Sequence, residues 1–232
     1  MRRYIIVHTA SLCYWQGNLD DRIHAILDAG ADGVELSYGP SIIYWKPARE
    51  TILRLRDKLV TLHAEIYNEL GITLDAWTDA MKRLPWQITN ATFHPNELYP
   101  EDLTRLLNLP FPISIENMDI DKVGWRTPQE IKQIMMPNIS LTLDVNHAEE
   151  NGIQVSDFYT LPIKEVHVSV VNKDYYINLG YKTKHAMTQL RPDSFPVVPT
   201  ECSIIVIEGL VPPDMDILRS EIDFVRDRMT RI

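Results

Sequence analysis

Cysteine is almost missing from this chain. Two residues, Cys13 and Cys202, stand far apart and outside any CxxC spacing, which excludes a thiolate zinc knuckle and fits a reducing compartment. No apolar run approaches the roughly 18 residues of a membrane-spanning helix, so no span is expected. The opening MRRYIIVHTASLCYW imitates a secretory leader, but His8 interrupts its apolar run and no small-x-small cleavage site follows cleanly. The segment therefore reads as a first strand, and the expected location is cytoplasmic. A basic stripe is missing too. Net charge is −9, from 23 basic and 32 acidic residues, and the basic ones are scattered in pairs and triplets, so extended DNA or RNA is a disfavoured partner. No Ser/Gly-rich or single-charge block divides the 232 residues, and the prolines are dispersed through candidate loops. A single domain over 1–232 is expected, and 45% hydrophobic composition is enough for a full core.

Short β-rich runs and amphipathic stretches alternate from end to end. Runs at 4–9, 33–37, 60–63, 88–94, 112–116, 139–145, 163–169 and 203–208 read as eight strands. Leu19 to Ala29 puts Leu19, Ile23, Ile26 and Leu27 on one helical face before the stop at Gly30. Further helices are expected over Pro47 to Lys58, Leu74 to Leu84, Glu101 to Leu107 and Asp214 to Met229. Thr127-Pro128-Gln129-Glu130 has the form of a capping box and opens a helix to about Met136. Strands alternating with helices predict parallel pairing, and eight of them predict a compact (β/α)8 TIM barrel. Roughly 250 residues is typical of that fold, so several helices must be abbreviated, above all those after the sixth and seventh strands.

The informative residues end these runs. His63, His94, Glu116, Asp144, His167 and Glu208 terminate strands three to eight, His147 follows Asp144 at i+3, and His185 lies on the loop after strand seven. Barrel active sites form at those C-terminal ends. A carboxylate ending a buried strand is costly unless it is paired or metal-bound, and carboxylate oxygen with neutral imidazole is what zinc, manganese, magnesium or cobalt accepts. Convergence on one divalent-metal site explains the set better than independent structural acids. His63 and His94 could form a second position with Glu116 bridging, and His147 could meet His185, though either pair could instead contact substrate. Glu35 at the end of strand two, Tyr38 and Trp125 on loops, and Lys184 are substrate-pocket candidates; Tyr44 and Trp45 join the aromatic set. His8 could be a pocket residue, and His24 belongs on an exposed or half-exposed helix face.

From AGADGVELS through LHAE, FHP, IENM, LDVNHA, EVHVS and KH to VIEG, the chain resembles the xylose isomerase-like TIM-barrel superfamily. That superfamily includes sugar isomerases and epimerases and the zinc-dependent apurinic/apyrimidinic endonucleases. The isomerase resemblance implies one divalent ion on Glu116, Asp144, His167 and Glu208, with Glu116 and Glu208 also passing the proton through a metal-stabilised enediolate. The endonuclease resemblance implies a zinc cluster that adds His63, His94, His147 and His185. There the chain departs from the pattern. Thr183 stands where the endonucleases have a further Asp ligand, and Ala186-Met187-Thr188-Gln189-Leu190 replaces their Gly-rich stretch. The arginine that many epimerases place after the strand-seven His is also absent. The expected function is a metal-dependent isomerase or epimerase of a small sugar-like substrate. The alternatives are a zinc phosphodiesterase acting on abasic DNA or a small phosphodiester, and a barrel that binds metal or ligand without turnover. Self-association of the chain is left open.

Overall fold

Alternating apolar residues make every long strand two-faced, and that pattern builds the molecule. The computed structural model describes residues 2–38, 44–64, 73–172, 185–196, 198–199 and 201–230. In chain order the strands are β1 (Tyr4–His8), β2 (Gly33–Tyr38), β3 (Leu59–Ala64), β4 (Asn90–Phe93), β5 (Ile113–Glu116), β6 (Ile139–Asp144), β7 (Ile163–Val168), β8 (Val170–Val171), β9 (His185–Ala186) and β10 (Ile204–Ile207). The helices are α1 (Leu19–Asp28), α2 (Arg49–Arg54), α3 (Leu74–Met81), α4 (Pro100–Leu106), α5 (Pro128–Ile134), α6 (Val145–Glu150) and α7 (Met215–Thr230). Strands β1 to β7 and β10 pair in parallel around a closed cylinder in the order β1-β10-β7-β6-β5-β4-β3-β2, a (β/α)8 barrel as expected.

Its outer faces carry the apolar half of each strand. Val60, Leu62, Ala91, Phe93, Ile115, Leu141, Leu143, Val166 and Val168 join Ile23, Ile26, Trp77, Leu218 and Ile222 of the helices in one buried shell. At about 1.5–3 kcal/mol for each fully buried large aliphatic side chain, this shell is the main source of stability. The helix starts follow their sequences. Thr127 and Glu130 cap α5 reciprocally, Oγ1 accepting from Glu130 N at 3.2 Å and the carboxylate from Thr127 N at 2.9 Å. The helix after β6 has six residues, and between β7 and β10 the helical segments among the described residues are short 3-10 turns, so the abbreviation falls where length demanded it. Two features were not anticipated: α6 starts directly on Asp144, and β8 and β9 form an antiparallel ribbon over the barrel end. The second helix is shorter than expected, Arg49–Arg54 instead of Pro47 to Lys58.

The inner face is unusual. Barrel interiors are ordinarily filled by bulky branched residues, but here only the floor is apolar, a cluster of Ile6, Ile204 and Val206 backed by Leu59. One pleat higher come Thr61, Asn90, Ser114, Thr142 and Glu165, with Glu35 and Thr92, all fully buried. Asn90 on β4 donates to Ser114 Oγ at 2.7 Å and to Glu165 Oε2 at 3.2 Å. Since β7 is not a neighbour of β4, the second bond crosses the lumen. Ser114 and Thr142 hydroxyls meet at 2.6 Å, and Thr142 and Thr92 at 2.8 Å.

Candidate metal centre

The next pleat up, at the C-terminal rim, holds the acids and imidazoles. Strand periodicity of two puts Thr61 and His63, Ser114 and Glu116, Thr142 and Asp144, and Glu165 and His167 on the same inward face. Each polar interior residue thus lies beneath a rim residue. His94 follows β4, His147 sits in the first turn of α6, and His185 opens β9. Ligand-type atoms of His63, Glu116, His167 and Glu208 all fall within 4.8 Å of one another, and so do those of Asp144, His147 and His185. Of the quartet expected from the sequence, Glu116, His167 and Glu208 fall together with His63, while Asp144 stands with His147 and His185 and adjoins Glu208.

Glu116 is the hub. Its Oε2 lies 3.1 Å from His63 Nε2 and 2.9 Å from His94 Nε2, while its Oε1 lies 3.1 Å from His167 Nδ1. His167 Nδ1 is flanked on its other side by Glu208 Oε1 at 3.4 Å, an oxygen that His8 Nδ1 also approaches to 3.4 Å. His185 Nδ1 stands 3.5 Å from Glu208 Oε2. In the other group His147 Nε2 is 3.8 Å from Asp144 Oδ2, and the rings of His147 and His185 lie edge to face at 5.3 Å.

Most of these imidazoles are held by their second nitrogen, which decides which nitrogen faces the site. His94 Nδ1 bonds Glu97 Oε1 at 2.9 Å and His147 Nδ1 bonds the carbonyl of Asn117 at 2.8 Å, whereas His185 bonds Ser169 Oγ at 2.9 Å through the same Nδ1 that faces Glu208. His167 uses Nε2, 3.1 Å from Glu165 Oε1. Glu97, Asn117, Ser169 and Glu165 were not singled out in the sequence. Glu165 carried a signal, because it sits two residues before His167 on a strand whose odd positions face inward. His8 was set aside although YIIVH ends on histidine like its neighbours; it is buried beside Glu208 and belongs to the rim.

Proximity sets the protonation states. Burial would raise Glu116, but His167, then His63 and His94, hold it well below the ordinary carboxylate range. Burial opposes charge on Glu208 likewise, and His167, His8 and His185 bring it well below. Asp144 goes the other way: burial, unrelieved by His147 and reinforced by Glu208 and Glu116, holds it well above. Burial lowers His185 to about 4, whereas His94 is carried to about 10 against burial by Glu116 and Glu97.

Other expected residues fall outside this cluster. Glu35 is the exception: it is fully buried, its Oε1 3.4 Å from His167 Nε2 and from Thr61 Oγ1, and its carboxylate groups with ligand-type atoms of His8, His63 and Glu208 within 4.8 Å, so it borders the cluster from the lumen. Trp125 lies on the loop after β5, half-buried against the outer shell, with a φ of 59° and its carbonyl accepting from Met118 N at 2.9 Å. Trp45 stacks on Trp86 at 5.9 Å and donates to Asp20 Oδ2, a packing role, and Tyr44 is 84% exposed. His24 is half-buried on α1, its Nε2 2.9 Å from Thr51 Oγ1. Lys173, Lys182, Thr183, Lys184 and the side chain of Tyr38 lie outside the described residues.

The residues present fit a divalent cation. Glu116 Oε1, His167 Nδ1, Asp144 Oδ2 and Glu208 Oε2 are buried atoms with no hydrogen-bond partner, although buried polar groups nearly always have one. Their mixed oxygen and imidazole chemistry suits zinc and its relatives, and the outward nitrogens are already tied down.

No family model matches the sequence, and no curated protein matches it. Solved structures do. The probable 3-DHS dehydratase AsbF from Bacillus anthracis superposes with a TM-score of 0.66 at 14% identity, over 98% of this chain and 100% of that one. The 3-keto-D-glucoside 4-epimerase YcjR from E. coli gives 0.61 at 12%, over 97% and 100%. The TTHB071 protein from Thermus thermophilus, soaked with ZnCl2, gives 0.57 at 14%, over 98% and 99%. The likeness is one of fold. This chain shares their barrel architecture over nearly its whole length. Among the described residues no helix is long and apolar enough to cross a membrane.

Proposed function

We propose that the chain is a divalent-metal-dependent isomerase or epimerase that moves a proton on a small, sugar-like substrate. The observation that carries this reading is the placement of two carboxylates, Glu116 and Glu208, on either side of His167 Nδ1 at 3.1 and 3.4 Å. The neighbours named as an epimerase and a probable dehydratase use the same barrel. Glu116, His167, Glu208 and Asp144 would hold the ion, with His63 beside them. Once bound, it supplies Lewis-acid polarisation of a substrate oxygen. Glu208 Oε2, buried at the rim without a hydrogen-bond partner, would take the proton from carbon and return it to the same or the neighbouring carbon, while inversion through both acids would need Glu116 Oε1 to carry a second proton, drawn from solvent, to the opposite face. The imidazoles orient the two acids.

The test is solvent exchange. Incubated in D2O with a panel of ketoses, aldoses and sugar acids, the Mn- or Zn-loaded protein should place deuterium next to the carbonyl of its substrate, read by proton NMR. Glu208→Gln should stop it. A second reading, a zinc phosphodiesterase, is favoured by the pair of Nε2 atoms that His63 and His94 offer to one Glu116 oxygen. Two or three tightly held zinc ions per chain, with cleavage of abasic duplex DNA and no deuterium uptake, would replace the first reading by the second.

A further inference from the structure

The polar layer inside the barrel has no part in the proton chemistry, yet it touches the site at one atom. His167 presents Nδ1 to Glu116 and Glu208, and turns Nε2 downward onto Glu165 Oε1 at 3.1 Å. Glu165 is fully buried, so its carboxylate has no solvent reason to be there. Its other oxygen accepts from Asn90 Nδ2 at 3.2 Å, and Asn90 is in turn fixed by Ser114 Oγ at 2.7 Å. Ser114 belongs to the hydroxyl chain with Thr142 and Thr92. The bonds run from β4 through β5 and β6 and close on β7 across the lumen.

An imidazole can offer only one unprotonated nitrogen to a cation. A carboxylate on the opposite nitrogen keeps the proton there, fixes the ring plane and makes the free nitrogen a stronger donor. We infer that Glu165, held by Asn90 and the hydroxyl chain, is a positioning residue that fixes the tautomer and orientation of His167 so that Nδ1 is the metal-binding atom. Glu35 Oε1, 3.4 Å from the same Nε2, is a weaker second acceptor. The inference rests on the proposed metal site, but concerns a residue outside the ligand set proposed for the ion.

An apolar replacement of similar size leaves zinc affinity and the His167 ring unchanged if the acid is kept only for packing, and alters both if it is kept for His167. Glu165→Met leaves His167 Nε2 and Asn90 Nδ2 short of a buried acceptor, a loss that destabilises the fold, whereas Glu165→Gln keeps an acceptor for one of them. Zinc affinity of wild type, Glu165→Met and Glu165→Gln is measured by competition with a chromophoric chelator. Thermal unfolding of the metal-free forms and 15N shifts of the His167 ring in the zinc-loaded forms are recorded alongside. Expected are a lowered melting temperature of metal-free Glu165→Met, partly restored in Glu165→Gln, and a roughly 10–100-fold weaker zinc affinity of Glu165→Met. The wild-type ring should show a protonated Nε2, with this signature lost in Glu165→Met and partly kept in Glu165→Gln, whose amide oxygen still accepts. Equal zinc affinity and equal ring shifts in Glu165→Met and wild type would overturn the inference. Should Glu165→Met fail to fold, Asn90→Ala, which loosens Glu165 from one side, must show the same weakening or the inference falls. A wild-type chain that binds no zinc would instead sink the metal site itself.

Discussion

His63 and His94 hold their Nε2 atoms 3.0 Å apart, and both address the same oxygen of Glu116. Two imidazoles this close cannot both carry a proton between them without repulsion, so a cation or a single shared proton must sit there. If turnover needs only the ion on Glu116, His167, Glu208 and Asp144, His94→Ala keeps one ion per chain. Its activity then falls by no more than the about 10–100-fold seen when a supporting group is removed. Metal analysis of the dialysed variant and its deuterium-exchange rate check this; complete loss of activity would favour the phosphodiesterase.

Glu116 bears on three imidazoles at once. Glu116→Gln should release the ion, with a loss of affinity larger than the roughly 10–100-fold of an outer-shell change, under either proposed chemistry. Equilibrium dialysis with zinc followed by elemental analysis measures it. Full retention of metal would show that Glu116 is not a ligand.

Gly209 has a place in the site through its missing side chain. A Cβ there would lie 2.6 Å from the backbone oxygen of Ala186, on the stretch that carries His185 and pairs with Leu210. Gly209→Ala must push that backbone away, at a cost of about 1–3 kcal/mol in overpacking, and carry His185 from Glu208. Denaturant unfolding should show the loss, and zinc stoichiometry any loss of a second ion.

The capping box of α5 predicts an acid-side pH dependence that does not involve the candidate metal centre. Backbone N–H bonds from Thr127 and Arg126 lower Glu130 below its ordinary 4.5. A carboxyl whose folded value is depressed stabilises the fold above the unfolded value and loses that contribution as pH falls through the folded one. Glu130→Gln should therefore differ from wild type in stability near neutrality and converge with it at pH values below the ordinary 4.5. Thr127→Ala should cost about 1 kcal/mol. Urea unfolding as a function of pH reads both; parallel curves for wild type and Glu130→Gln would show the box is energetically idle.

The barrel was legible because its outer faces keep strict alternation and its helices have spelled-out starts, such as Thr127 to Glu130. The rim was legible because His63, Glu116, Asp144, His167 and Glu208 each close an apolar run. What escaped was one pleat deeper. Asn90, Ser114, Thr142 and Glu165 occupy positions that apolar side chains ordinarily fill, and a polar residue inside a strand resembles an outward-facing one until the cylinder closes. The grouping of Asp144 with His147 and His185 escaped for a different reason. It depends on α6 beginning at Asp144 and on the ribbon that brings His185 back, and both are set by tertiary pairing.

A cylinder plugged with hydroxyls, amides and acids has given up the greasy stopper that keeps most such cylinders shut when empty. Under the proposed reading, ion and fold are then thermodynamically linked. Cells starved of the cation would carry a looser population of this chain, more open to proteases, so its abundance would follow the mineral supply as closely as its catalytic output does.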